Sequence, residues 1–195
     1  MMIVGVDEAG RGPLAGCVVA CALYAKRKID LPLKDSKSLS LRQREYFFER
    51  FKDKVSFSIG LATHEEIDRY NILQATFLAF ERAITFLIKN NSRLKSSTFI
   101  IDGNHFHTDL PIKYRCVVKA DESVREVALA SIVAKLFRDY LMRVAHFCFP
   151  EWNFKKHKGY PTPQHLEYIR KYDISALHRK SFIPCELRKR GSITS

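Results

Sequence analysis

Apolar and polar residues alternate along the 195-residue chain at two periods, and the period changes from segment to segment. Met2 to Val6 and Leu14 to Tyr24 are nearly continuous apolar runs of strand length, with the short turn Glu8 to Pro13 between them. That spacing predicts an antiparallel hairpin. Ser40 with Gln43 has the form of a capping box and predicts a helix from about Leu41 to Lys52. Val55 to Ala62 reads as a third strand, after which Thr63 with Glu66 caps a helical stretch that runs to about Lys89 with an interruption near Asn71. Ser97 to Ile101 and Tyr114 to Lys119 are two more strands. Val124, Ala128, Ile132, Leu136 and Tyr140 then recur at helical spacing, predicting a long helix from Glu122 to about His146. Thr162 and Pro163 supply an N-cap and first position for a last helix through Tyr172. A hairpin followed by strands alternating with helices predicts an α/β domain, a mixed sheet with helices on its faces.

The length suits one domain with a substantial core, residues 1–195. Charge changes the picture more. The chain carries 33 Lys and Arg against 21 Asp and Glu, a net charge of +12, which points to a polyanionic partner such as nucleic acid or an anionic membrane. Arg143 to Ser195 holds eleven of those basic residues and four of the acidic ones, so the binding surface leans toward that end. Five cysteines without a CxxC pair indicate neither a disulfide framework nor a zinc knuckle, and fit a reducing, cytoplasmic setting. The uncharged run Gly12 to Ala25 is too short to span a bilayer and contains Pro13, so no membrane association is expected, and the N-terminal residues lack the basic start of a signal peptide.

Three apolar strands run into acid. "IVGVDE", "FIIDGN" and "CVVKAD" lead to Asp7 with Glu8, to Asp102 and to Asp121. Sites in open α/β sheets form at the carboxyl ends of strands, so neighbouring strands would gather these four carboxylates in one small area. Carboxylates that close do not all stay ionised uncompensated, and hard divalent cations with oxygen ligands are the usual compensation. Two such ions would activate a water and stabilise the leaving oxygen of a phosphoryl displacement. Singly, the acids have ordinary readings: Asp121 suits an N-cap of the long helix, and Asp102 before Gly103 suits a turn. Asp7 and Glu8 are harder to place structurally, because adjacent acids at a core strand bring desolvation and mutual repulsion.

Gly10, Arg11 and Gly12 follow these acids. Glycines let backbone groups approach a ligand closely, and an arginine can fork onto a phosphate, although the same tripeptide alone is an ordinary hairpin turn. "DEAGRGPLAG", "DSKSLS", "IDGN", "ASIVAK" with "RD", "KGYPT" with His165, and "HRKSF" run in order from Val4 to Phe182. Together they resemble type 2 ribonuclease H, the ribonuclease HII family.

The resemblance implies a ribonuclease H-like fold, a five-stranded mixed sheet flanked by helices, with a basic helical C-terminal extension from about residue 147. It implies an endonuclease that uses Mg2+ or Mn2+ in a two-metal site, hydrolyses RNA in RNA/DNA hybrids and nicks ribonucleotide-containing DNA duplex, leaving 5′-phosphate and 3′-hydroxyl ends. Its cellular tasks would be ribonucleotide excision repair and primer removal, performed as a monomer. Asp7, Glu8, Asp102 and Asp121 match the family's four catalytic, metal-binding carboxylates. By that analogy Asp7 and Asp121 hold the ion that activates water, while Asp7, Glu8 and Asp102 hold the one facing the leaving 3′-oxygen. Gly10, Arg11 and Gly12 correspond to the backbone reader of the ribose 2′-hydroxyl, Tyr160 to the residue at the ribo-to-deoxyribo junction, and Lys37 and Ser131 to further substrate contacts. The chain departs from the family pattern at Pro161, where glycine is usual, and at Ala120, before Asp121.

Other features rank lower. His105 and His107 have a spacing that can chelate metal on a strand, but belong to an expected loop. Lys155, Lys156 and Lys158 suit phosphate contacts or plain solvation. Two further classes fit parts of the pattern: a non-catalytic nucleic-acid-binding module, for which acids facing a polyanion bring no gain, and a glycosidase with paired carboxylates, which needs neither the net charge nor the glycine and arginine turn.

Overall fold

The computed structural model describes residues 2–29 and 39–187. Five strands form one sheet: β1 (Ile3–Ala9), β2 (Val18–Ala25), β3 (Val55–Ala62), β4 (Thr98–Asp102) and β5 (Lys113–Val117), in the spatial order β3-β2-β1-β4-β5. β1 pairs antiparallel with β2, and β2 with β3, whereas β4 runs parallel to both β1 and β5. The helices are α1 (Leu41–Phe51), α2 (His64–Asn90), α3 (Arg125–Cys148), α4 (Phe154–His157) and α5 (Pro163–Tyr172).

Alternation along the strands divides the core. Val4, Val6, Val18, Ala20, Phe99 and Ile101 pack with Phe80, Ala83, Ile84 and Leu87 of α2 on one face. Cys21 and Leu23 turn to the other face, against Phe51 of α1 and Leu129, Ile132 and Val133 of α3. By length and composition α2 could cross a membrane, but its apolar residues from Ala75 to Leu87 cover the sheet. Both capping boxes form as the sequence predicts. The interruption is at Asn71, whose φ is 66° and whose side-chain oxygen accepts from the amides of Leu73 and Gln74, capping the second half of α2.

Three of the boundaries that differ from the sequence expectation bear on the acids and the loop beside them. β1 continues through Asp7 and Glu8 to Ala9, so the acids still pair within the sheet, opposite Cys21 and Ala20. β2 starts only at Val18, because the preceding backbone is bonded elsewhere: Leu14 N–H to the Gly159 carbonyl, Gly16 N–H to that of Leu177, and several carbonyls to arginine side chains. Asp121 lies in a 3₁₀ turn (Ala120–Glu122), and α3 begins at Arg125 with Val124 as its N-cap. Asp121 therefore does not cap α3.

α3 crosses β1 at Gly5, where a Cβ would overlap the Glu126 carbonyl and the Val127 amide, both backbone. Gly5→Ala should push α3 off the strand and lower stability by about 3 kcal/mol. Thermal unfolding reads this, and a melting temperature equal to wild type would show that the helix rides less tightly than the geometry states.

Candidate active site

Parallel register places the first pair of acids. β1 and β4 align Val6 with Ile101, and the next step sets Asp7 beside Asp102 at the carboxyl end of both strands. Asp7, Glu8 and Asp102 share a cleft of about 360 Å3 with Gly10, Arg11, Gly12, Arg44, Ser131, Lys135 and Tyr160. The sequence-predicted residues therefore come together, with two exceptions. Lys37 lies outside the described residues, and Asp121 is 1% exposed and does not line the cleft wall. The Ala120 amide nonetheless donates to Asp102 Oδ1 at 2.8 Å, pinning the turn that carries Asp121 to the end of β4.

The acids sit at an electrostatic cost. Burial, followed by the negative charges of Glu8 and Asp102, holds the Asp7 carboxyl well above the ordinary carboxylate range, against the opposing pull of hydrogen bonds from Ser131 and from the Glu8 amide. Glu8 is also raised, by burial first and by Asp102, while Arg11 opposes the shift from 3.6 Å. A cluster of hard oxygen donors whose ionisation is resisted by its own surroundings fits divalent cations. Among the described residues no three His, Cys, Asp or Glu side chains already close to ligating distance, so the acids form an open cleft rather than a cage. His105 and His107 are exposed on either side of the buried Phe106 and lie apart from this cleft.

Sequence reasoning passed over the residues that hold the cleft's walls. Arg138 is 0% exposed and donates to the carbonyls of Ala15, Cys17 and Lys158 at 3.2, 3.1 and 3.0 Å. Arg179, also 0% exposed, donates to those of Gly10, Arg11 and Gly16 at 2.6, 2.9 and 2.9 Å. Their only signals were the "RD" and "HRK" fragments. Gly10 has φ 102°, and a Cβ there would overlap the Arg138 side chain, so glycine is required on both counts. Asp139 bridges Lys135 at 2.6 Å and Arg44 at 3.4 Å, tying α1 to α3 beside the cleft.

Tyr160 faces the cleft with its ring centroid 5.4 Å from Lys135 Nζ and 5.6 Å from Arg138 Cζ. A histidine chain fixes its backbone. Ser175 N–H donates to His178 Nδ1, which leaves His178 Nε2–H to donate to His165 Nε2 at 3.0 Å, and His165 Nδ1–H to donate to the Tyr160 carbonyl at 2.9 Å. Burial lowers His165 to about 4 and His178 to about 3, so the chain stays neutral at physiological pH and retains one tautomer.

Residues 4–185 match the family model for Ribonuclease HII. A Ribonuclease HII of Thermotoga maritima is 44% identical over 183 residues, 94% of this chain and 74% of that protein. Among solved structures, the ribonuclease H2 from Pyrococcus horikoshii OT3 superposes with a TM-score of 0.75 at 27% identity, covering 93% of each chain. Bst-RNase HIII, crystallised in complex with Mn2+, is alike in fold, with a TM-score of 0.69 at 18% identity over 89% of this chain and 63% of that one.

A raised carboxyl favours the fold below the ordinary carboxylate range, and that contribution is lost as pH rises through the raised value. Without divalent ions, Asp7→Asn should therefore melt above wild type at pH 8. The gain should be about 2–4 °C per kcal/mol relieved, with about 1.4 kcal/mol for each pKa unit. Adding Mg2+ should narrow the gap by stabilising wild type alone. A variant that melts at or below wild type in EDTA at pH 8 would contradict the strain assigned to this carboxylate.

Proposed function

Because the chain belongs to the ribonuclease HII family, and is therefore an endoribonuclease, we propose that it hydrolyses the RNA strand of RNA/DNA hybrids and nicks duplex DNA at embedded ribonucleotides. The products would carry 5′-phosphate and 3′-hydroxyl ends, and the cellular tasks would be ribonucleotide excision repair and primer removal by a monomer in the cytoplasm. One observation carries the reading: Asp7, Glu8 and Asp102 converge at the strand ends although burial and mutual repulsion oppose their ionisation. A protein with no use for a cation gains nothing from that arrangement. Asp7, Glu8, Asp102 and Asp121 would hold Mg2+ or Mn2+, and such ions supply an activated water and stabilise a leaving 3′-oxygen. The Mn2+ complex of the fold neighbour Bst-RNase HIII is consistent with this choice.

The chain's own residues do the rest. Gly10, Arg11 and Gly12 offer backbone groups to the ribose, and Arg11 keeps its guanidinium half-exposed at the rim, free to exchange Glu8 for a phosphate. Ser131 orients the Asp7 carboxylate from α3 while facing the cleft. Tyr160, 37% exposed above two cations, presents its ring to the sugar beside the ribonucleotide. Lys155 and Lys156 are exposed, and Lys158 is pushed down by burial and by Lys135 and Arg143 despite Asp139, marking a crowded cationic strip for the phosphate backbone.

A duplex with one embedded ribonucleotide should be nicked only with Mg2+ or Mn2+. Asp7→Asn should abolish the nick while duplex affinity holds or rises slightly, and activity within tenfold of wild type in saturating metal would remove the metal-site assignment. Asp121→Asn should also lose activity, and retained cleavage would exclude it as a ligand.

Tyr160→Ala should reduce cleavage at a single embedded ribonucleotide by one to three orders of magnitude, about 1.4 kcal/mol per tenfold, with Tyr160→Phe milder. Equal losses on single-ribonucleotide and uniform hybrid substrates would assign the tyrosine a structural task instead.

A further inference from the structure

We infer that Arg179 is a positioning residue for sugar discrimination: by holding the carbonyls of Gly10 and Arg11, it turns the amides of Arg11 and Gly12 toward the cleft as a donor pair for a ribose hydroxyl. The inference rests on the proposed reading of Gly10–Gly12 and adds the device that makes those residues readers.

The geometry is that of the peptide plane. No described peptide bond is cis, so each N–H points opposite to the carbonyl of its own unit. Arg179 Nη2 draws in the Gly10 carbonyl at 2.6 Å and Nη1 the Arg11 carbonyl at 2.9 Å, while Nε takes that of Gly16 at 2.9 Å. The units Gly10–Arg11 and Arg11–Gly12 therefore present their N–H groups on the side away from the guanidinium. Arg11 and Gly12 are exposed and line the cleft, and neither amide donates a hydrogen bond to another described residue. A Cβ at Gly12 would meet nothing within 4 Å, so the space beside its Cα is open.

Two properties suit a guanidinium to the task. Its fork is planar and rigid, so one side chain fixes two consecutive peptide planes at once. Its charge also polarises those peptides from the carbonyl side, strengthening the opposite N–H as a donor. Arg138 grips the same loop further along, at Ala15 and Cys17, and leaves the Gly10 and Arg11 carbonyls to Arg179. Arg179 itself is 0% exposed and acts through the backbone.

The test compares affinity for a duplex carrying one ribonucleotide with affinity for the same duplex in all-DNA form, with Ca2+ replacing Mg2+. Arg179→Gln is too short to reach the Gly10 and Arg11 carbonyls, and should cut the preference for the ribonucleotide by about tenfold or more, leaving all-DNA affinity within about twofold. Arg179→Lys keeps the charge without the fork and should fall between the two; it serves as the test variant if the glutamine variant does not fold. Leu87→Ala, a cavity under α2 remote from the cleft, provides a destabilised control whose preference should stay at the wild-type value. Amide signals of Arg11 and Gly12 followed by NMR separate the layers. If they fail to respond specifically to the ribonucleotide in wild type, the reading of the loop is wrong, and the inference falls with it. If they respond and Arg179→Gln leaves both response and preference intact, the inference alone is overturned. Equal loss of affinity for both duplexes also overturns it, since the amides would then be holding a phosphate.

Discussion

The cleft depends on two guanidinium groups held inside the protein with no carboxylate among the described residues bonded to either. Charges removed from water are costly unless every donor finds a partner. Each of the six guanidinium nitrogens of Arg138 and Arg179 has a backbone carbonyl, five of them from residues Gly10 to Cys17 and the sixth from Lys158. Burial and the nearby Arg138 push Arg179 down to about 9, which still leaves it charged at neutral pH. Much else follows from this one demand. The loop cannot join the β2 ladder because its carbonyls are taken, residue 10 must lack a Cβ, and the segment bearing His178 and Arg179 docks against Leu14 to Gly16. Residues 177–179 are thereby tied to the loop whose residues Gly10 to Gly12 line the cleft.

Opposite those cations stand the acids. Asp7 and Asp102 meet because a parallel register between β1 and β4 leaves no other outcome, and Glu8 adds a third charge at the same edge. The assembly spends stability at this edge: the raised Asp7 carboxyl weakens the metal-free fold at neutral pH, a weakness that a bound cation would offset. Positive charge is arranged around this centre, with Arg11, Arg44 and Lys135 at its rim and Lys155, Lys156 and Lys158 further out. A polyanion is attracted by the periphery and meets negative charge only where cations would stand between.

Local chemistry was legible in the sequence to the residue. Ser40 with Gln43 and Thr63 with Glu66 cap their helices as predicted, Val55–Ala62 is a strand at both predicted ends, and the break at Asn71 is real, because each depends on neighbours three or four positions away. A mixed sheet was legible from strands alternating with helices, its five-stranded form from the family resemblance, and the convergence of Asp7, Glu8 and Asp102 from apolar runs that end in acid. Boundaries failed where distant groups decide. Leu14 to Cys17 has strand composition, but its backbone is claimed by residues 138, 159, 177 and 179. Asp121 precedes a helix in sequence, yet α3 starts after a 3₁₀ turn that is tied instead to Asp102. A buried arginine whose hydrogen bonds to described residues all go to carbonyls leaves no complementary acid in the sequence to reveal it.

The proline at position 161 sits beside a tyrosine whose backbone is held through other groups. Proline removes one amide donor and fixes φ, which would matter if this loop held Tyr160 through that donor. The loop holds Tyr160 through other groups: its N–H donates to the His157 carbonyl at 2.9 Å, and its own carbonyl accepts from the Thr162 amide at 2.8 Å and from His165. Residue 161 is exposed. The ring is set separately by Lys135 and Arg138, both on α3. Orientation of the tyrosine is thus imposed by a helix from one side and by a neutral histidine chain from the other, so the peptide that follows it is free to lose its donor.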